Sequence, residues 1–270
     1  MPQESALRAP TQIDSSVAHS ARIWNYWLGG EENYAVDREI GDQFVDIFPD
    51  IVDIARSSRA FLSRAVRYMA GEGGIRQFLD IGTGLPTADN THQIAQRVAP
   101  DARIVYVDND PMVLTHARAL MIGTAEGVTE YVDSDVRDPD AVLEAARATL
   151  DLDKPVGLML MNILGHLPDI DEGRAVTRRL LAALPSGSYL AVADGTNVIR
   201  GPEFEKAIAL WNEAGSAPYV LRSPEQIASY LDGLEPVEPG VVSCPLWRPE
   251  SSIAAGDREV DEFCAVGRKP

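Results

Sequence analysis

The chain predicts an α/β protein: a largely parallel sheet with helices on both faces and a helical segment ahead of it. Three observations carry this expectation. Residues 77–84, QFLDIGTG, end an apolar run in Asp80 and follow it with Gly82 and Gly84. A buried parallel strand hands over to a nucleotide-cradling turn in this way, because glycines without Cβ let the backbone bend sharply and approach a ligand. A second strand-like run, RIVYVD at 103–108, ends in another carboxylate, Asp108. From residue 77 onward short apolar runs alternate with helix-like segments, the pattern of strands joined by crossover helices.

Taken in order, residues 1–12 read as a loose tail and 13–74 as a helical N-terminal cap on a main domain at 75–270. A helical, aromatic-rich pattern runs over 17–28 and stops at Gly29-Gly30. Acidic, mixed sequence follows to Pro49. Residues 50–69 then place Ile51, Ile54, Phe61, Leu62, Ala65, Val66 and Met69 at near-helical spacing. The first strand is expected at 77–81, a helix at 90–98 and the second strand at 103–107. Asp110-Pro111 and Asp138-Pro139 each read as a helix start, where Asp caps and Pro occupies a first-turn position whose N–H is not needed. Strands follow at 129–132, 156–161 and 188–193, with a helix at 171–184. Beyond them, Gly201-Pro202 opens a helix to 212. Ser223-Pro224-Glu225-Gln226 has the form of a capping box starting another. Segments 240–247 and 262–267 are β-prone.

The 270 residues carry a net charge of −17. Such a charge disfavours binding to nucleic acid or anionic membrane. Cys244 and Cys264 have no metal-ligand spacing, and two thiols make no disulfide framework. His19, His92 and His116 lack ligand partners at metal-site spacing, so no metal is expected. Residues 1–16 are polar and no apolar run reaches membrane-spanning length. The expected location is the cytoplasm.

The chemistry gathers where open α/β sheets bind ligands, beyond the carboxyl ends of the strands. Strand one ends at Asp80 with Gly82, Thr83 and Gly84. Strand two ends at Asp108 with Asn109, strand three at Asp133–Asp135 with Val136, and strand four at Asn162. Asp108 is placed to accept both hydroxyl protons of a ribose. Asp135 can accept from an adenine amine, and the Val136 N–H can donate to a ring nitrogen. A dinucleotide site would carry a third glycine where Thr87 stands, and a Walker A loop would need G-K-[ST], which is absent.

Strand–Asp–x–Gly–x–Gly, an acidic end to strand two and an Asp after strand three resemble class I S-adenosylmethionine-dependent methyltransferases. The whole chain is similar to one poorly characterised bacterial branch of that superfamily, formerly listed as a domain of unknown function. The resemblance rests on ARIWNYWLGGEENYAVDRE, FLDIGTGLPT, VYVDNDPMVL and LRSPEQIASYLDGLEPVEPGVV, and covers residues 11–269. It implies a Rossmann-like, seven-stranded, mostly parallel sheet with an antiparallel last strand, and S-adenosyl-L-methionine as cofactor. By analogy Gly82, Thr83 and Gly84 contact the methionine part, Asp80 approaches its amino group, Asp108 holds the ribose, and Asp135 with Val136 holds the adenine. Pro86 stands where the usual third glycine would be and removes one loop N–H.

Other residues carry two readings each. Trp24, Tyr26 and Trp27 suit a cation–π contact with a sulfonium, although helical aromatics are more often core. Asn25, Asn33 and Tyr34 flank the Gly29-Gly30 break and, with Tyr26, suit a lid over the cofactor, an idea the family likeness favours over a packed cap. Asn162 sits where methyl acceptors approach, and no Pro follows it, which weighs against the amino-methylating enzymes with [DN]-P-P-[YF]. His166 in NILGHLP is the general-base candidate, with a scaffold hydrogen bond as the plainer role. The expectation is therefore a methyltransferase acting on a small-molecule acceptor. The alternatives are an NAD(P)-dependent oxidoreductase and a non-catalytic S-adenosylmethionine-binding protein.

Overall fold

The computed structural model describes residues 14–85, 89–110, 112–113, 123–214, 217–249 and 258–270. The expected tail, the Pro86 position of the glycine loop and most of the helix after Asp110 lie outside the described residues. Three helices lead: α1 Ser20–Trp27, α2 Ala35–Ile47 and α3 Ile51–Gly71. The main domain then runs β1 Gln77–Ile81, α4 Thr91–Val98, β2 Arg103–Asp108, β3 Val128–Asp133, α5 Pro139–Ala146, β4 Gly157–Met161, α6 Ile170–Ala182, β5 Tyr189–Gly195, α7 Gly201–Glu213 and α8 Pro224–Ser229. It closes with the two-residue strands β6 Glu235–Pro236 and β7 Val242–Ser243, and with β8 Glu262–Arg268.

The expected start signals act as caps. Asp138 Oδ1 accepts from the Ala141 N–H at 3.0 Å. Ser223 and Gln226 exchange hydrogen bonds across the first turn of α8, and Asn90 with Gln93 does the same for α4. Helix α2 was not separable in the sequence: only Asp37, Gly41 and Phe44 of its residues are buried, so its apolar stripe is too thin to read.

The sheet order is β3-β2-β1-β4-β5-β8-β6, with β7 also paired to β8. The pairs β1–β2, β1–β4, β2–β3 and β4–β5 are parallel, whereas β8 runs antiparallel to β5. The last strand is thus antiparallel, as the resemblance implied, and with its two short edge pieces the sheet has eight strands among the described residues, where seven were expected. Segment 240–247 contributes little β structure: after Val242–Ser243 it turns into a 3-10 helix at Cys244–Leu246. There Arg64 donates to the Cys244 and Trp247 carbonyls at 2.7 Å each, and the Trp247 ring packs on Phe61.

Alternation along the strands builds two cores. Phe78, Ile104, Met159, Ala191 and Val266 join Phe61, Val66 and Met69 of α3 on one face. Leu79, Val105, Leu158, Leu190 and Ala265 join residues of α5, α6 and α8 on the other. Helix α3 is therefore a layer of the main domain along most of its length. A third, aromatic core joins α1, α2 and the start of α3 to α7, through Trp27, Phe44, Phe48, Ile54, Phe204 and Trp211. The strand order reverses between β1 and β4, so a crevice opens beyond their carboxyl ends.

Candidate functional site

That crevice is a cleft of about 310 Å³. Asp80, Gly82, Thr83, Gly84, Asp108, Asn109, Asp135, Val136, Asn162 and His166 all line it. They arrive from four strand ends in register. Asp80 pairs with Tyr106 across β1–β2 and Asp108 with Asp133 across β2–β3, so the successive strand tips present their carboxylates along one rim.

The glycine turn is built by its glycines. Gly82 has φ +74° and donates its N–H to the Val107 carbonyl at 2.8 Å. A Cβ on Gly82 would stand 2.7 Å from the Ile163 side chain. Gly84 has φ +63° and open space where a Cβ would project, so its backbone is free to lie against a ligand. Asp108 ties turn to strand: Oδ2 accepts from the Gly84 N–H and Oδ1 from the Asp110 N–H, each at 2.9 Å. Each oxygen keeps a second lone pair for a hydroxyl. Burial raises the Asp108 pKa and these two N–H groups oppose it. Asp80 is buried and accepts from Thr91 Oγ1 at 2.6 Å. Burial pushes its pKa up to about 6, against the Thr91 bond and the positive charge of Arg59. Asp135 Oδ2 accepts from Asn109 Nδ2 at 3.2 Å, and Oδ1 from the Arg137 N–H at 2.8 Å.

Asn162 occupies the left-handed region at φ +55°. Its Nδ2 donates to Ser58 Oγ at 3.0 Å and to Glu262 Oε1 at 2.8 Å. His166 lies in the 3-10 turn Leu164–His166, with Nδ1 2.9 Å from the Pro218 carbonyl oxygen. A carbonyl only accepts, so Nδ1 carries the proton and the neutral ring leaves its lone pair on Nε2. Burial lowers the His166 pKa, favouring that neutral form.

Of the N-terminal segment, His19, Ser20, Ala21, Trp24, Asn25, Trp27 and Leu28 line the cleft. Tyr26, Asn33 and Tyr34 stand outside the lining. The Tyr26 hydroxyl donates to Asp42 at 2.7 Å, Asn33 Nδ2 donates to the Gly30 carbonyl at 2.8 Å, and the Tyr34 ring sits under Arg22. All three brace α1 against α2. His19 Nδ1 accepts from the Ala21 N–H at 3.3 Å and lies 3.0 Å from Asp110 Oδ2, so the start of α1 sits at the rim beside Asp108.

Several lining residues escaped the sequence reading: Ser58 and Arg59 of α3, Phe44 of α2, Phe204 and Trp211 of α7, and Tyr219. Ser58 and Arg59 lie in the same helical run as the flagged apolar positions, one turn before Phe61–Leu62. Tyr219 carries no local signal. Its hydroxyl accepts from the Gly195 N–H at 3.0 Å and lies 3.1 Å from Asp194 Oδ1. Among the described residues, no group of His, Cys, Asp and Glu could hold a metal ion.

A mostly parallel sheet with its last strand antiparallel, a glycine turn after β1 and acids on the next two strand ends define a class I methyltransferase architecture. Residues 6–270 match the S-adenosyl methyltransferase family, and the chain belongs to it. Among solved structures it is similar to a DUF574 family protein from Streptomyces avermitilis, at 44% identity over 96% of this chain and 100% of that one, with a TM-score of 0.92. It is also similar to a candidate methyltransferase from Thermobifida fusca, at 38% identity over 95% and 96% of the two chains, with a TM-score of 0.85. At 12% identity the plantazolicin methyltransferase BpumL, solved with S-adenosylhomocysteine, shares the fold, covering 92% of this chain and 95% of that one with a TM-score of 0.50. No curated protein matches. The protein is an S-adenosylmethionine-dependent methyltransferase, and the oxidoreductase alternative finds no support.

Proposed function

We propose that the protein methylates a small-molecule acceptor inside this cleft, with the cofactor held along the acidic rim. The observation that carries the reading is the convergence of Asp80, Asp108 and Asp135 with the Gly82–Gly84 turn on one cleft at adjacent strand ends. The donor set fits an adenosine: Asp108 retains acceptor capacity for two ribose hydroxyls, and Asp135 with the Val136 N–H offers the acceptor–donor pair an adenine edge requires. Gly84 and its open flank suit the amino-acid tail.

The cofactor supplies a methyl group already made electrophilic by its sulfonium. The protein's own task is to align the nucleophile, exclude water and dispose of a proton. Trp24, Trp27 and Leu28 of the α1 segment line the cleft, which supports reading that segment as a lid. Neutral His166 is the proton acceptor. A cleft of about 310 Å³, at the lower end for ligand pockets, favours a compact acceptor over a polymer. The charge of −17 points the same way for nucleic acid. No helix among the described residues is long and apolar enough to cross a membrane, in keeping with a cytoplasmic enzyme.

Isothermal titration with S-adenosylhomocysteine and with NAD tests the rim. Binding of the first and not the second is expected, and Asp108→Ala should weaken it by about 1–3 kcal/mol. Unchanged affinity in Asp108→Ala would remove the ribose assignment.

A further inference from the structure

The cleft changes character as it leaves the strand ends. The residues that α1, α2 and α7 contribute to its lining include no charged side chain. Five aromatic rings dominate: Trp24, Trp27, Phe44, Phe204 and Trp211. Trp27 packs at 5.1 Å from Phe44 and 6.1 Å from Trp211, centroid to centroid, and Phe44 meets Phe204 edge-on at 6.3 Å. Only 1–6% of the surface of Trp27, Phe44, Phe204 and Trp211 is exposed. These rings pack on one another as an aromatic wall of the cleft, and such a wall offers a planar ring stacked or edge-to-face contact.

Asn162, at the end of β4, lines the same cleft, and its hydrogen bonds fix its polarity. Both Nδ2 hydrogens of Asn162 are spent, on Ser58 Oγ and on Glu262 Oε1. Its Oδ1 therefore points onward as a pure acceptor. The Tyr219 hydroxyl is the only protein donor bonded to that oxygen among the described residues, at 3.4 Å, and has Asp194 Oδ1 closer at 3.1 Å. A hydroxyl has one hydrogen, and the shorter contact takes it. Gly165 is what lets the Tyr219 ring approach, since a Cβ there would collide with it. Behind these groups Asp194 and Glu262 are fully buried, each with one oxygen lacking a hydrogen-bond partner. Burial raises their pKa values to about 7 and about 8, so at neutral pH Glu262 is mostly protonated and Asp194 about half so. An anion finds no counter-charge among the lining residues of α1, α2 and α7.

We propose that the methyl acceptor is an uncharged aromatic molecule whose nucleophile is an O–H or N–H group, with its ring against the wall of Trp24, Trp27, Phe44, Phe204 and Trp211 and its hydrogen held by Asn162 Oδ1 before reaction. As the nucleophile bonds to the methyl and the S–CH₃ bond breaks to leave neutral S-adenosylhomocysteine, the proton passes to His166. The inference rests on the methyl-transfer reading above. Asn162 orients the nucleophile, and the aromatic wall selects for a flat, neutral body.

The test is a binding series on the wild-type protein saturated with S-adenosylhomocysteine, using 2-naphthol, 2-methoxynaphthalene and 2-naphthoate as probes. The naphthol should bind. The methyl ether, which has no hydrogen to give Asn162, should bind about tenfold more weakly. The carboxylate should bind about a hundredfold more weakly, because its charge would be buried unpaired. Trp211→Leu should weaken naphthol about tenfold while S-adenosylhomocysteine affinity stays within about twofold. Equal affinity for naphthol and its ether, tighter binding of the naphthoate, or no binding of any probe to the cofactor-loaded protein would overturn the proposal. If Trp211→Leu fails to fold, the wild-type series still decides. Naphthol binding without S-adenosylhomocysteine binding would instead strike the cofactor reading alone.

Discussion

The two halves of the cleft are made by opposite means. The rim comes from strand tips: Asp80 and Asp108 end apolar runs paired in sheet register, and Asp135 follows two residues after the end of β3. The aromatic wall comes from helices that are remote in sequence, α1 and α2 before the sheet and α7 after β5, joined by an aromatic core of their own. The rim is charged and hydrogen-bonded, the helical wall apolar. A scaffold that grips a constant cofactor gains from rigid strand ends. A site that chooses an acceptor gains from helices whose residues can change without disturbing the sheet.

The largest expected effect sharpens the division at its boundary. His166→Gln should lower the rate of labelled methyl transfer, on the best acceptor of a panel, by about a hundredfold or more, and leave S-adenosylhomocysteine affinity unchanged. Because burial lowers the His166 pKa, the acid limb of the wild-type rate profile should fall below 6.5, the ordinary histidine value. An acid limb above that value would remove His166 as the base.

Next in size is a pH effect from behind Asn162. A carboxyl whose pKa is raised by folding makes the native state bind more protons than the unfolded one. Its favourable contribution is complete below the unfolded value of about 4 and is lost as pH rises through about 7 for Asp194 and about 8 for Glu262. Wild-type stability, followed by urea unfolding, should therefore decline between pH 5 and pH 9. Glu262→Gln, which keeps an acceptor for Asn162 and cannot ionise, should flatten part of that decline. Parallel curves for the two proteins would show that Glu262 does not titrate in this range.

What could be read from the chain follows the same line. The rim was legible because strand-end carboxylates and the Gly82–Gly84 turn are local patterns. The antiparallel last strand came through the family likeness. The aromatic wall was not legible. Phe204 and Trp211 read as ordinary helix core, and Tyr219 has no motif. Glu262 begins a strand whose register alone, Gly195 opposite Glu262, brings its carboxyl under Asn162. Asp37 shows the same limit: an acid that reads as surface is fully buried, held 2.8 Å from Arg22 Nε.

The smallest effect concerns residues that flank the lid without lining the cleft. Tyr26→Phe and Asn33→Ala should each change S-adenosylhomocysteine affinity by less than about twofold, while losing about 0.5–1.5 kcal/mol of stability from the Asp42 and Gly30 bonds. Calorimetry and urea unfolding on the same samples separate the two. A large loss of affinity would move these residues into the binding machinery.

The division of the cleft is tested most directly by a crystal structure of the protein with S-adenosylhomocysteine. The ribose hydroxyls should lie within hydrogen-bonding distance of the Asp108 carboxylate and the adenine amine of Asp135, leaving the rings of Trp27, Phe44 and Trp211 free of the ligand. An adenine stacked among those three rings, with Asp108 still bonded only to Gly84 and Asp110, would contradict the account.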